Sequence, residues 1–301
     1  MNKLLKRLES SERALDLHRN VGHDPLLLYK IKKLFRHPYR YTRLILSKWG
    51  IAQNAWSHTF FGTSIKLPLS DVNAADLFYA GSLRSRSEGY VTRFLLHHLQ
   101  PNDVFYDIGA NYGFYTSLAL SRGAYVHAFE PSPHCLSFLH QTIDSTLYKD
   151  RLTLNPNILS DTSGYVAFFD MSLGHKSGMS TIDIEIAKGR EMQYRTISVE
   201  AITLDMYIHD HKLPTIMKID TEGSEARVIA GAQHLLKTYT PTIVVELWGD
   251  NLGIENSQAT LNMLTTLGYK SYAITTDGDL KPVSIDITTI GENNNFVFKK
   301  H

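Results

Sequence analysis

The chain has 301 residues, of which 43% are hydrophobic and 20% charged, the composition of an ordinary globular protein with a sizeable core. Its formal net charge of +1 argues against nucleic acid as a partner. The single cysteine, Cys135, excludes an internal disulfide framework and a cysteine-based metal site. That cysteine usage, with no apolar run approaching the ~20 residues of a membrane span and no signal peptide pattern, predicts a cytoplasmic protein.

The charge is distributed unevenly along the chain. Residues 1–50 contain 12 Lys and Arg against 4 Asp and Glu, whereas the remainder contains 19 basic and 26 acidic residues. Two or three helices are predicted in this basic segment, one of them starting at Asp24-Pro25 with the carboxylate as N-cap. Its apolar stripe is Leu27, Ile31, Leu34 and Phe35.

Two roles for this segment remain open. A helical subdomain that packs on the core or makes a dimer is the expected one, because basic amphipathic helices are common without membranes. The alternative is an interfacial helix, with Arg and Lys beside Tyr41, Leu44, Ile45 and Trp49, that holds the protein peripherally at an anionic membrane. We predict a basic helical extension over 1–80 and a second domain over 81–301.

Strands alternate with helices along most of the remaining chain. Short strand-like pieces are expected between 51 and 69, and a β-hairpin is expected around Gly164. The other predicted strands are 104–108, 125–130, 152–155, 215–220, 242–247 and two near Tyr272 and Phe296. The predicted helices are 90–99, 112–121, one from His134, one continuous helix over 222–237, and 258–267. This alternation indicates a mostly parallel α/β sheet, which binds ligands at the carboxyl ends of its strands.

The glycine-containing segment "VFYDIGANYGFY" links the first of these strands to a helix. A dinucleotide-binding loop would carry G-x-G-x-x-G, but here Asp107 precedes Gly109, Asn111 and Gly113. A carboxylate beside a pyrophosphate at ~4 Å would cost several kcal/mol in a partly buried site. S-adenosylmethionine (SAM) lacks phosphate and carries a sulfonium and an ammonium, so it removes that conflict.

Acidic residues end the following strands. Glu130, in "AFEPSP", lies about 20 residues after the glycine loop, where a carboxylate can accept both ribose hydroxyls. Asp220 ends the strand in "KIDTEGSE", with Glu222 and Glu225 at the start of a helix, and Glu246 ends the next strand. Acids in a first helical turn are stabilising without any chemistry, so Asp220 is the strongest catalytic candidate.

Taken together, D-I-G-A-N-x-G-F-Y, A-F-E-P-S-P, K-I-D-T-E-G-S-E, Gly231-Ala232 and Glu246 resemble the FkbM-type SAM-dependent methyltransferases. The resemblance runs from about Glu88 to Trp248. It implies a Rossmann-like seven-stranded sheet, mostly parallel with the last strand antiparallel and flanked by helices, and O-methylation, commonly of sugar hydroxyls. It implies SAM contacts at Asp107, Gly109, Asn111, Gly113 and Glu130, extended to Pro131 and Ser132, with adenine near Leu159 and Asp161.

The predicted function is therefore methyl transfer from SAM to a hydroxyl, on a small molecule or a glycan. Asp220, Glu222 and Glu246 are the predicted catalytic residues, with Asp220 as general base. Alternatively, these three carboxylates hold a divalent cation such as Mg²⁺ that lowers the pKa of the hydroxyl. An NAD-dependent oxidoreductase and a non-catalytic SAM-binding scaffold are the other functional alternatives. Oligomerisation stays open.

Overall fold

The computed structural model describes residues 2–16, 26–83, 86–145, 147–291 and 294–300. Its N-terminal part has three helices, as predicted: α1 (Asn2–Asp16), α2 (Leu26–Arg36) and α3 (Pro38–Ser47). The predicted helix start at Asp24-Pro25 lies outside the described residues. A hairpin of β1 (Asn54–His58) and β2 (Ser64–Pro68) and a further helix, α4 (Val72–Ala80), complete this part. No described helix is long and apolar enough to cross a bilayer.

The rest of the chain alternates strands and helices. Its elements are α5 (Arg86–His98), β3 (Val104–Ile108), α6 (Phe114–Ser121), β4 (Tyr125–Phe129), α7 (Pro133–Asp144), β5 (Leu152–Asn155), β6 (Ile158–Leu159), β7 (Gly164–Asp170), α8 (Ile184–Gly189), β8 (Arg195–Ile202), α9 (Leu204–Tyr207), β9 (Ile216–Ile219), α10 (Glu225–Ala230), α11 (Gln233–Thr238), β10 (Thr242–Glu246), α12 (Ile254–Thr266), β11 (Lys270–Ile274), β12 (Leu280–Pro282) and β13 (Asn295–Lys299).

The main sheet has the strand order β12-β11-β13-β10-β9-β3-β4-β5. Strands β5, β4, β3, β9 and β10 are parallel, and β13, the last strand in the chain, is antiparallel to both of its neighbours. The predicted Rossmann-like α/β sheet is confirmed, and the short strand β12 adds an eighth member at its edge. Strand order reverses at β3, because β4 extends the sheet on one side and β9 continues it on the other.

Two hydrophobic clusters cover the two faces of this sheet. Successive residues of β3 alternate between them, with Phe105 in one and Tyr106 in the other, as the two-residue period of a strand requires. Leu8 of α1 and Ile65 of β2 belong to the same cluster as Phe105. The hydrophobic core therefore continues across residue 80, and a domain boundary there stays a prediction.

Two local predictions were wrong. No hairpin forms around Gly164, because β8 lies between β6 and β7 in a separate three-stranded sheet and pairs with both. The helix predicted over 222–237 is broken into α10 and α11 at Gly231. A Cβ on Gly231 would lie 2.0 Å from the carbonyl oxygen of Ser160, so only glycine fits where the two helices meet.

Candidate active site

A cavity of about 610 Å³ opens at the carboxyl ends of β3, β4, β9 and β10. This is the position at which strand order reverses, where open α/β sheets bind their ligands. Predicted site residues line the cavity from all four strand ends. They are Gly109, Asn111, Glu130, Pro131 and Leu159 of the predicted cofactor site, and Asp220, Glu222 and Glu246 of the predicted catalytic group.

The glycine loop brings its backbone against the end of β9. Gly109 has a φ of +86°, and a Cβ there would lie 1.9 Å from the carbonyl oxygen of Asp220. Asn111 also adopts a left-handed conformation, with a φ of 50°, which asparagine tolerates better than most residues. Gly113 does not line the cavity but packs against Leu139, and a Cβ there would lie 2.3 Å from Cδ1 of that residue.

We expect Gly109→Ala to destabilise the fold strongly and to weaken ligand binding. The left-handed backbone alone costs roughly 1–2 kcal/mol for a residue with a Cβ, and the contact with Asp220 adds steric repulsion. Gly62→Ala is the matched control, because Gly62 has a φ of +95° with no atom within 4 Å of an added Cβ. Urea unfolding of both variants measures the difference, and equal losses would contradict the close approach.

Glu130 holds the glycine loop in place from the end of β4. Its Oε2 accepts the backbone N–H of Asn111 at 2.7 Å and its Oε1 accepts that of Ser132 at 2.8 Å. Burial raises the pKa of Glu130 to about 7, against the opposing effect of these two N–H donors. Each carboxylate oxygen keeps a second lone pair, so the predicted ribose contact is compatible with this geometry.

Ser132 and Asp161 do not line the cavity. Ser132 is the N-cap of α7, with its hydroxyl accepting the N–H of Cys135. Asp161 lies on the surface, 3.9 Å from a guanidinium nitrogen of Arg227. Leu159, between them in the chain, reaches the wall of the cavity.

Asp107 lies beneath the glycine loop, buried, and is not among the residues that line the cavity. Its Oδ2 accepts the hydroxyl of Thr116 at 2.6 Å, whereas its Oδ1 has no hydrogen-bond partner among the described residues. Asp107 pairs in register with Lys218 across β3 and β9. From the sequence, the positive charge opposite Asp107 is expected to come from SAM. In the structure Lys218 of the protein itself supplies a positive charge beside Asp107.

Lys218 is a buried cation at the floor of the cavity. Its Nζ donates to Oδ2 of Asp220 at 2.7 Å and lies 4.9 Å from the ring centroid of Tyr115. Burial acts to lower the pKa of Lys218, but Asp220, Glu88 and Asp107 together raise it above its ordinary value. The Tyr115 hydroxyl donates to the carboxylate of Glu88, which also lines the cavity.

Asp220 and Glu246 form an unequal pair of carboxyl groups. Burial acts to raise the pKa of Asp220, but the charge of Lys218, the hydrogen bonds from Lys218 and Glu246 and the charge of Arg190 together outweigh it and hold that pKa below its usual value. The pKa of Glu246 lies well above its usual value, because the group is buried and because Asp220 and Glu222 are close. Protonated Glu246 can therefore donate a hydrogen bond to ionised Asp220.

Glu222 is paired with a residue from outside the main sheet. The guanidinium of Arg190, at the end of α8, donates to Oε2 of Glu222 at 2.8 Å and stacks 4.8 Å from the ring centroid of Trp248. Burial, reinforced by Asp220, raises the pKa of Glu222 to about 8. Arg190 also acts to lower the pKa of Asp220.

The three predicted catalytic carboxylates do meet. One oxygen from each of Asp220, Glu222 and Glu246 lies within 4.8 Å of the others, close enough to share a cation. Glu225 faces away from this group, since its carboxylate accepts the N–H and hydroxyl of Thr221 and closes the turn before α10.

Sequence reasoning missed the roles of Lys218, Glu88, Tyr115 and Arg190. A signal existed for Lys218, which is a charged residue inside an apolar strand and two positions before Asp220, so both side chains lie on one face. Glu88 and Arg190 lie 132 and 30 residues from Asp220 in the chain, and only the fold brings Glu88 to the cavity and Arg190 to Glu222.

The strand order and the cavity at its reversal point give the molecule a Rossmann-like fold. Residues 107–271 match the Methyltransferase FkbM domain. The chain belongs to this family, which confirms the resemblance seen in its motifs.

The individual proteins to which this chain is similar share low sequence identity with it. The hexuronic acid methyltransferase AglP of Haloferax volcanii is 26% identical over 164 residues, a match that spans 53% of this chain and 62% of that protein. The structure of a methyltransferase FkbM from Methylobacillus flagellatus is 14% identical with a TM-score of 0.44, covering 76% of this chain and 55% of that chain. The structure of a putative rRNA-methylase from Clostridium thermocellum is 13% identical with a TM-score of 0.42, and the match covers 70% of this chain and 93% of that chain.

Proposed function

We propose that this protein is a SAM-dependent O-methyltransferase that acts on a sugar hydroxyl of a glycan or glycoconjugate. The observation that carries the proposal is the arrangement of the cavity. Its cofactor end is formed by the glycine loop and Glu130, and its reactive end by Asp220, held ionised by Lys218. One cavity thus offers a place for the methyl donor beside a base for the acceptor.

Asp220 is the proposed general base. A sugar hydroxyl is a poor nucleophile while protonated, so transfer of its proton to a nearby carboxylate as the new C–O bond forms assists the reaction. The methyl group passes to the hydroxyl oxygen, and the sulfur leaves with its bonding electrons as the neutral thioether S-adenosylhomocysteine. Lys218 reduces the basicity of Asp220 but keeps it ionised, and the hydrogen bond from protonated Glu246 also favours this ionised form.

The charge of the cavity favours a neutral acceptor. Six carboxyl side chains line it against one basic side chain, Lys218, and the six are Asp76, Glu88, Glu130, Asp220, Glu222 and Glu246. The pKa values of several of these groups are raised, that of Glu222 to about 8, so fewer than six are ionised near neutral pH. An acidic sugar would still share the cavity with ionised Asp220, and bringing like charges together in a partly buried site costs free energy. We therefore propose a neutral sugar, unlike the acceptor named for AglP.

A direct test uses labelled SAM with matched glycan acceptors, one carrying a neutral hexose and the other the corresponding hexuronic acid. We expect label in an ether-linked methyl group on the neutral sugar. Label on the uronic acid alone would contradict the proposed acceptor but not methyl transfer. Absence of label with every sugar, despite S-adenosylhomocysteine binding, would contradict sugar methylation.

A bound cation is the competing account of Asp220, Glu222 and Glu246. Lys218 and Arg190 already supply positive charge to two of the three carboxylates, so we expect turnover to persist in EDTA. Loss of turnover in EDTA and its recovery on addition of Mg²⁺ would assign the group to a metal instead.

Cofactor binding is expected to raise the melting temperature, because a ligand that binds only the native state stabilises it, by about 2.7 kcal/mol at 100 times its Kd. Glu130→Gln should weaken S-adenosylhomocysteine binding roughly tenfold or more, since hydrogen bonds to a charged acceptor are lost. NAD should produce no such shift. Unchanged affinity in Glu130→Gln, with Glu255→Gln on the exposed start of α12 as control, would contradict the ribose contact.

The same contact predicts a pH dependence. Ribose hydroxyls donate to the ionised form of Glu130, whose pKa is about 7 in the free protein. Affinity for S-adenosylhomocysteine should therefore fall as the pH decreases from 8 to 6, as the carboxylate takes up a proton. Isothermal titration calorimetry at several pH values checks this. In Glu130→Gln the affinity should no longer fall between pH 8 and 6, because the titrating carboxylate has been removed.

A further inference from the structure

The helices α2 and α3 and the turn after them expose an unusual set of side chains. Residues 26–51 contain seven Lys and Arg and no Asp or Glu. Among the described residues, seven of the sixteen exposed large apolar side chains lie within 31–51. These seven are Ile31, Leu34, Phe35, Tyr39, Ile45, Trp49 and Ile51, with Phe35 82% exposed and Trp49 77% exposed. Together with Lys30, Lys32 and Lys48 they are termed the basic–aromatic surface.

The opposite side of these helices is fixed to the rest of the protein. The backbone carbonyl of Lys33 accepts the Tyr79 hydroxyl at 3.2 Å, and the Lys33 ammonium lies 5.2 Å from the Tyr79 ring centroid. Arg40 donates to the carbonyl of Tyr79 at 3.0 Å, and Arg43 donates to the carbonyl of Asn54 at 2.8 Å.

Helix geometry then determines which side chains of α2 face outward. Ile31, Leu34 and Phe35 are spaced i, i+3 and i+4 and share one face, while Lys33 lies on the other. Since Lys33 is buried against the protein, the apolar face of α2 is directed away from it. The apolar face is therefore held outward by the attachment of the other side.

We propose that the basic–aromatic surface docks on the surface of an anionic phospholipid bilayer. Trp and Tyr are enriched at the level of the lipid headgroups, and Lys side chains can extend from there to the phosphates. Interfaces between proteins are by contrast depleted in Lys. The charge of the remaining chain would orient the protein on the membrane. Residues 51–301 contain 26 acidic and 19 basic residues, so this part is repelled by the anionic lipids that attract the basic–aromatic surface.

The test is flotation with vesicles of phosphatidylcholine alone and of phosphatidylcholine with about one third phosphatidylglycerol. We expect the unmodified protein to float with the anionic vesicles and to be released by salt, since exposed charges are screened. Lys30→Glu with Lys32→Glu should weaken binding at least tenfold, because each lysine near the membrane is worth roughly fivefold. Phe35→Ala with Trp49→Ala should weaken it by a similar factor.

Exposed residues elsewhere supply the matched controls. Leu147→Ala with Tyr165→Ala removes apolar side chains that are 94% and 77% exposed, and Lys188→Glu reverses an exposed charge on α8. These variants should float like the unmodified protein, and all variants should keep its melting temperature. Point substitutions are preferred to truncation because Leu8 is fully buried in the main core.

Three results would overturn the proposal. The first is failure to float with anionic vesicles at low salt. The second is that the unmodified protein floats equally well with neutral and with anionic vesicles, or that the two surface variants float with anionic vesicles as well as the unmodified protein does. The third is a dimer in analytical ultracentrifugation that Phe35→Ala with Trp49→Ala dissociates, which would assign the surface to a second copy of the chain. None of these readouts depends on methyl transfer.

Discussion

Asp220→Asn is expected to lower kcat by roughly 10²–10⁴-fold, the contribution typical of a positioned general base. The substitution keeps the shape of the side chain but removes the group that accepts the proton of the hydroxyl. Binding of S-adenosylhomocysteine should change little, because the glycine loop and Glu130 are left intact. Single-turnover kinetics with saturating labelled SAM separates the chemical step from cofactor binding.

The control for this experiment is Asp161→Asn, which alters a carboxylate outside the cavity. A second comparison is Glu246→Gln, which keeps a hydrogen-bond donor toward Asp220 and should retain far more activity than Asp220→Asn. Near-normal turnover of Asp220→Asn would remove this residue from the mechanism. If activity instead depends on Glu222, whose pKa is about 8, then Glu222→Gln will show the larger loss.

The second large effect is expected for Lys218→Met. This substitution removes the cation that lies among Asp220, Asp107 and Glu88 and leaves buried carboxyl groups without their partner. Breaking a buried ion pair in this way typically costs about 3–5 kcal/mol of folding free energy. Turnover should also fall, because Asp220 loses the charge that keeps it ionised. Urea unfolding and the methyl-transfer assay measure the two effects.

The pH dependence of that loss has a defined sign. Burial already holds the pKa values of Asp107 and Glu88 above their values in the unfolded chain, and the loss of Lys218 raises them further and raises that of Asp220 as well. The native state of the variant therefore binds more protons than the unfolded chain between the two sets of pKa values. Stability then decreases as the pH increases through that range. The deficit of Lys218→Met should be larger at pH 8 than at pH 5. Equal deficits at both values would mean that Lys218 acts through packing alone.

Lys188→Met provides the contrast for the buried lysine. Lys188 makes an exposed ion pair with Glu185 at 3.3 Å within α8. Such pairs contribute little to stability because water screens them. We expect its unfolding midpoint to stay close to that of the unmodified protein.

The local sequence was enough to place the strands that build the site. Strand β3 was predicted at its observed bounds because a central strand buried on both faces is a short apolar run. The acids Glu130, Asp220 and Glu246 were correctly placed at strand ends, and they line one cavity because in parallel strands all carboxyl ends lie at one edge of the sheet. The family followed from the order of four motifs.

Tertiary structure decided what those acids can do. Lys218 sets the charge state of Asp220, but its burial and its contact with Asp107 arise from the pairing of β3 with β9, over 100 residues apart. Glu88 reaches the cavity from α5 and Arg190 reaches Glu222 from the end of α8, and no local pattern relates them to Asp220. Likewise, Lys33 had the sequence character of a solvent-exposed residue, and its burial against Tyr79 determines which helix face is left exposed. Residue type and spacing thus determined the elements and the class of the protein, whereas long-range pairing determined protonation and exposure, because both depend on neighbours that are distant in the chain.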